Sequence, residues 1–169
     1  MKNSYAVIVV LFSGLIGCND TIKEKPASSP QLIREIDKIK LTNMNGQAIS
    51  LKQYLDKTIF IHFWATWCKP CIQEMPTINE AQNILQNEKI VFLLASNESA
   101  QQIEEFSHAN KFNFNYVRIE NSEEMNVQAL PTTFIFNRKG NLVFSETGSR
   151  KWDEKSNIDM ILKLRNENE

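Results

Sequence analysis

Apolar residues along the chain fall into short runs, and the period of each run predicts the element that it forms. Short runs of β-branched and aromatic residues between polar turns are typical of buried strands, and apolar residues at every third or fourth position are typical of helices. Strands are predicted at 58–64, 90–95, 115–119, 132–137 and 142–147, and helices from residue 68 onward, at 99–111 and at 152–165. This order predicts an α/β fold, a central mixed sheet flanked by helices.

Three shorter elements complete this prediction. Apolar and polar residues alternate over 39–51 around Asn45-Gly46, a pair that favours a β-hairpin. A turn or short helical piece is predicted at 51–56, and a brief helix at 122–126. The sequence shows no internal repeat, so the elements are expected to share one core.

The stretch 58–76, TIFIHFWATWCKPCIQEMP, joins a buried strand to a helix through a short turn. Pro70 is tolerated in the first turn of a helix, which puts Cys68 at or just before the helix N-terminus and Cys71 one turn inside. Pro76 lies within the helix, where it is expected to cause a kink. The two cysteines are therefore close enough to form a disulfide.

A helix N-terminus favours a thiolate, because unpaired backbone N–H groups and the positive end of the helix dipole meet there. We therefore expect Cys68 to be exposed and to have a lowered pKa. Thiol–disulfide exchange requires an attacking thiolate and a second thiol that resolves the mixed disulfide. The alternative for this pair, half of a zinc site, lacks suitably spaced partners, since only His62 and His108 remain as candidate ligands.

The segment WATWCKPCIQEMP, together with Leu130-Pro131-Thr132-Thr133, resembles the active site of the thioredoxin superfamily. It is most similar to the TlpA/ResA-like branch of membrane-anchored bacterial thioredoxins, and the resemblance covers 39–164. It implies a thioredoxin-like fold with an N-terminal β-hairpin and an inserted helix–strand unit. The implied activity is thiol-disulfide oxidoreductase.

The same resemblance implies roles for residues around the cysteines. Pro131 is expected to be cis, the backbone of Leu130 to pair with substrate, and Trp67 to border the substrate groove. Glu74, three residues after Cys71, is expected to modulate the cysteine pKa values and to move protons. A solvated surface glutamate is the alternative for Glu74.

His62 departs from the family pattern, which has an aspartate or asparagine at this place in the buried strand. If His62 lies beneath the disulfide, it is a possible acceptor for the proton of Cys71. The simpler interpretation, which the sequence favours, is a core histidine bonded to a backbone carbonyl.

The N-terminus reads as a lipoprotein signal. Lys2 and the apolar run 5–17 precede Leu15-Ile16-Gly17-Cys18, which resembles a lipobox with cleavage before Cys18 and lipidation of its thiol. The expected organisation is a signal peptide at 1–17, a flexible tether at 18–37 and the thioredoxin-like domain at 38–169. An uncleaved signal anchor with an incidental cysteine is the alternative.

Composition and charge limit the classes of molecule that the protein is expected to bind. A formal net charge of −1 over 169 residues gives no indication of a nucleic-acid partner. We expect no cofactor and no metal, and a monomer anchored in the cell envelope with its domain facing the periplasm. The expected substrates are disulfide-containing exported proteins, with apocytochrome c as one candidate. A membrane electron donor is expected to reduce the oxidised cysteine pair again. The alternative function is a copper chaperone or binding module on the same fold.

Overall fold

The computed structural model describes residues 34–165, which form a mixed sheet covered by helices. The strands are β1 (Leu41–Thr42), β2 (Ala48–Ile49), β3 (Thr58–Phe63), β4 (Ile90–Ser96), β5 (Asn115–Ile119), β6 (Thr132–Phe136) and β7 (Leu142–Thr147). The helices are α1 (Glu35–Lys38), α2 (Lys69–Ile84), α3 (Ala100–Ala109) and α4 (Lys155–Arg165), with a 3₁₀ turn at Leu51–Tyr54.

The strand order is β2-β1-β5-β4-β3-β6-β7. Strands β3, β4 and β5 run parallel, whereas β6 is antiparallel to β3, and β1 is antiparallel to both β5 and β2. The predicted mixed sheet and N-terminal hairpin are confirmed. Strand β5, which follows α3, lies between β4 and the hairpin.

Alternation along β3 divides the core into two layers. Phe60 and, just past the strand, Trp64 belong to a cluster that also contains both cysteines of the CKPC segment and the buried apolar residues of α2, α3 and α4. Ile59, Ile61 and Phe63 face the opposite cluster, which contains the buried residues of α1 and of the hairpin. His62, between these, points to the layer that holds the cysteines.

Two helix predictions need correction. Residues 122–126 form a turn instead of a helix, and the left-handed conformation of Asn126 (φ 57°) prevents this turn from continuing as a helix. The last helix begins at Lys155 and not at Trp152, since the chain first makes a separate turn in which the Glu154 N–H donates to the Lys151 carbonyl at 3.1 Å.

The folded part begins before residue 38, so the end of the expected tether needs correction too. Ile36 is only 2% exposed, and Arg34 Nη1 donates to the carbonyl of Lys139 at 2.9 Å. Gly140 has φ +82°, and a Cβ there would lie 2.8 Å from Ile36 Cγ2, so a larger residue would clash with the segment. The contact of Arg34 and Ile36 therefore lies at the turn between β6 and β7. At the opposite end of β6, Thr132 pairs with Phe63, the last residue of β3. The signal peptide, Cys18 and most of the tether lie outside the described residues.

Candidate active site

The two cysteines of the CKPC segment form a disulfide at the start of α2. Cys68 is the N-cap residue, and its Sγ atom accepts a hydrogen bond from the backbone N–H of Cys71 at 3.3 Å. The S–S bond is 2.00 Å long and the Cα atoms are 5.3 Å apart. The predicted placement of both sulfurs at the helix N-terminus is confirmed.

The expected exposure of Cys68 is not found in this disulfide form. Cys68 is 4% exposed and Cys71 is fully buried, and both pack in the cluster that contains Trp64 and Met75. The prominent exposed group beside them is Trp67, at 72%. The surface beside the buried sulfur of Cys68 is therefore apolar and aromatic.

The turn before Cys68 is held by Glu98, which the sequence analysis missed. The carboxylate of Glu98 accepts hydrogen bonds from the Thr66 N–H at 2.7 Å, the Thr66 hydroxyl at 2.6 Å and the Ser96 hydroxyl at 3.1 Å. Bonds to an ionised acceptor are stronger than neutral ones. Its sequence signal is its place just after β4, since adjacent parallel strands end at the same edge of the sheet.

The Leu130–Pro131 peptide bond is cis, as predicted. Leu130 lines a groove of about 210 Å³ together with Trp67, Phe63 and Trp64, and its side chain contacts both core clusters. Within residues 34–165, no hydrogen bond is made by the backbone N–H or carbonyl of Leu130. This backbone is available to pair with an extended peptide lying in the groove.

Glu74 is buried and not a solvated surface residue. It is 3% exposed, and its Oε1 accepts a hydrogen bond from Trp152 Nε1, while Oε2 has no hydrogen-bond partner among the described residues. Burial raises the pKa of Glu74 to about 7, against smaller lowering effects from the Trp152 bond and from the backbone and charge of Arg150. Glu74 can therefore both accept and release a proton near neutral pH.

His62 is fully buried, and its partner is a side chain instead of the expected backbone carbonyl. Its Nδ1 lies 3.0 Å from the hydroxyl of Thr133, and its Nε2 has no hydrogen-bond partner among residues 34–165. Burial lowers the pKa of His62 to about 3, so the ring is neutral at physiological pH. Protonation of the buried His62 ring is energetically unfavourable, so His62 is a poorer proton acceptor than Glu74.

Residues 34–165 hold no cluster of three or more His, Cys, Asp or Glu side chains arranged to bind a metal ion. Within this range, the predicted site residues lie together at one end of the sheet. They are the disulfide, Glu74, His62, Trp67 and the cis-proline loop.

Comparisons with known proteins agree with this geometry. The AhpC/TSA family model matches residues 34–145. Thiol-disulfide oxidoreductase ResA of Geobacillus thermodenitrificans is 32% identical over 126 residues, which is 72% of each chain. ResA of Bacillus anthracis is 30% identical over 147 residues, covering 81% of this chain and 82% of the relative.

Solved structures support the fold. A thioredoxin-family thiol:disulfide interchange protein from Chlorobium tepidum superimposes with a TM-score of 0.60 at 20% identity, covering 75% of this chain and 91% of the other. The family match extends over most of the chain, and the relatives are named as thiol-disulfide oxidoreductases. The chain therefore belongs to the AhpC/TSA family, and it is a thiol-disulfide oxidoreductase of thioredoxin fold, similar to ResA.

Proposed function

We propose that this protein is an extracytoplasmic, lipid-anchored reductase of disulfides in exported proteins, with apocytochrome c as one candidate substrate. The observation that carries the proposal is the Cys68–Cys71 disulfide at the N-terminus of α2, one helical turn from the buried carboxyl of Glu74. The direction of electron flow, the substrate and the anchor are the proposed parts.

In the first step the reduced protein attacks its substrate. The N–H groups and the dipole at the start of α2 favour the thiolate of Cys68. This thiolate attacks one sulfur of the substrate disulfide, the substrate S–S bond breaks, and one substrate thiolate leaves. Cys68 and the substrate are then joined by a mixed disulfide.

In the second step Cys71 resolves the mixed disulfide. Its proton passes to the carboxylate of Glu74, whose pKa of about 7 suits an acceptor at neutral pH. The Cys71 thiolate attacks the sulfur of Cys68, which forms the observed disulfide and releases the second substrate thiolate. The substrate gains two electrons and the protein loses two. His62 stays neutral throughout, because its pKa of about 3 lies far below the working pH.

We place the substrate in the groove between Trp67 and the cis-proline loop. The free backbone groups of Leu130 bind the peptide as an added strand, Pro131 fixes this loop beside the cysteines, and Trp67 covers the apolar side of the peptide. A membrane electron donor then reduces the Cys68–Cys71 disulfide. The protein works as a monomer in this scheme.

Measurement of the reduction potential tests the proposed direction. Thioredoxin-like proteins span roughly −270 to −120 mV. Equilibration of the full chain with glutathione or dithiothreitol buffers, read by alkylation of free thiols, is expected to give a value near the reducing end. A potential near the oxidising end would assign the protein to disulfide formation and overturn the reductase proposal, with the fold unaffected.

The lipid anchor is a separate part of the proposal, and its support is the lipobox before Cys18. No helix within residues 34–165 is long and apolar enough to cross a membrane. Cys18→Ala removes both the thiol to be acylated and the cleavage site before it, so it is expected to abolish labelling by a radioactive fatty acid and to leave residues 1–17 attached. Ser13→Ala, in the same apolar run, is the matched control. A wild-type protein that takes up no fatty acid and keeps residues 1–17 would favour an uncleaved signal anchor.

A further inference from the structure

Two separate contacts join Glu74 to the loop that follows β7. The indole Nε1 of Trp152 donates a hydrogen bond to Glu74 Oε1, and the backbone N–H of Trp152 donates to the hydroxyl of Thr77 at 3.2 Å. That hydroxyl donates to the carbonyl oxygen of Glu74 at 2.8 Å. Trp152 is therefore bound to the turn of α2 that carries the carboxyl.

Aromatic packing fixes the ring of Trp152. The ring is 1% exposed, stands edge-to-face against Phe60 with centroids 4.7 Å apart, and lies 6.1 Å from Phe144 in a similar orientation. A buried indole N–H needs an acceptor, and here Glu74 is that acceptor. The hydrogen bond therefore has little freedom to move away from the carboxyl.

The positively charged guanidinium of Arg150 lies against the rings of Phe144 and Trp152. Its Cζ atom lies 5.5 Å from the centroid of Phe144 and 5.7 Å from that of Trp152. Nη1 donates to Asn157 Oδ1 at 2.7 Å, and the guanidinium also forms an ion pair with Glu146. A guanidinium held by two rings and two polar partners presents a fixed charge to its surroundings.

A cavity of about 240 Å³ connects this region with solvent, and Glu74, Arg150 and Lys151 are among its lining residues. Lys151 is paired with Glu154 at 3.8 Å. Of the other titratable side chains in this core layer, His62 is buried and neutral, Tyr116 packs against the same cluster, and the two cysteines are thiols only in the reduced protein. Arg150 and Glu146 are thus the charges that act on Glu74 from the β7 side, with opposite signs.

We propose that Trp152 and Arg150 are positioning residues for Glu74, holding its carboxylate charge one turn from Cys71 and so setting the pH range in which it exchanges a proton. Glu146 opposes Arg150 in this arrangement. The inference rests on the proposed role of Glu74 in thiol chemistry. Neither Trp152 nor Arg150 is assigned a contact with the reacting sulfurs.

The titration of Glu74 can be followed directly by NMR in the oxidised full chain, in which the two active-site cysteines do not titrate. Glutamate labelled with ¹³C at the carboxyl carbon gives one signal for each residue, and the signal absent from Glu74→Gln identifies Glu74. Trp152→Phe keeps the ring but removes the donor, and is expected to raise the titration midpoint by about one pH unit. Arg150→Met is expected to raise it by about half a unit, and Glu146→Gln to lower it by about half a unit.

Two further variants control for charge and structure. Arg150→Lys keeps the charge and is expected to remain near the wild-type midpoint. Lys155→Met removes a positive charge from an exposed ion pair with Asp159 on α4 and is expected to leave the midpoint unchanged. Opposite shifts for Arg150→Met and Glu146→Gln support an electrostatic role, since a general loss of packing would not produce them.

An unchanged midpoint in both Trp152→Phe and Arg150→Met would overturn the inference. The same variants assayed for disulfide exchange across pH separate this failure from that of the proposed function. If the midpoints move as expected while Glu74→Gln leaves the pH profile of exchange unchanged, the positioning contacts stand, and the proton-transfer role of Glu74 is wrong.

Discussion

Replacing Cys71 with serine is expected to abolish turnover and to leave the protein joined to its substrates. Cys68 keeps its place at the N-terminus of α2 and still attacks a substrate disulfide, but no thiol remains behind it to break the mixed disulfide. The rate of catalysed reduction should fall by a factor on the order of 10³ or more. Non-reducing gels of cells expressing the variant, followed by mass spectrometry of the bands, would show the trapped partners.

Cys68→Ser is the matched control for this experiment. It removes the attacking sulfur and retains Cys71, which is fully buried, so few or no mixed disulfides are expected. Equal trapping by the two single variants would contradict the assignment of Cys68 as the nucleophile. Recovery of exported, disulfide-containing partners would support the proposed substrate class.

Replacing Glu74 with glutamine is expected to change how stability depends on pH. The pKa of Glu74 is about 7 in the folded protein against its ordinary value of 4.5, so between these values the folded state holds a proton that the unfolded chain has already released. Wild-type stability therefore falls as pH rises through this window. The loss is at most about 3 kcal/mol, because water in the neighbouring cavity screens the charge. Glutamine does not titrate, so Glu74→Gln should gain stability relative to wild type between pH 4.5 and 8.

Denaturant unfolding of the oxidised proteins across this pH range measures the effect. His62→Asn is an informative contrast, because the pKa of His62 is lowered from 6.5 to about 3 and its linkage has the opposite sign. Its contribution to wild-type stability is present above pH 6.5 and is lost as pH falls toward 3. A Glu74→Gln difference that does not vary with pH would show that burial does not perturb this carboxyl.

Local patterns were sufficient to predict the parts of the site that lie within one strand–turn–helix segment. Cys68 and Cys71 were placed correctly because Pro70 and the apolar stripe of α2 fix where the helix begins. The cis bond before Pro131 followed from the family resemblance, since no local pattern of the sequence distinguishes it from a trans bond. The strand order, with β5 between β4 and the hairpin, was not predicted, because it depends on pairing between segments distant in sequence.

Contacts between distant segments were beyond such reasoning. Glu98 bonds to Thr66 across 32 positions, and Trp152 bonds to Glu74 across 78, so neither pair has a characteristic spacing. The burial of Cys68 was missed for a similar reason, because it depends on the packing of α2 against the whole sheet. The hydroxyl partner of His62 comes from β6, whose register with β3 the sequence does not specify.

Arg34 and Ile36 contact the end of the sheet that lies away from the disulfide. They pack at the β6–β7 turn, while the disulfide lies near the end of β3, and a strand of six residues spans about 20 Å. The start of the folded part and the disulfide thus lie at opposite ends of the sheet. An anchor acting through the N-terminus would therefore join the domain at the end away from the sulfurs and leave them accessible to other proteins.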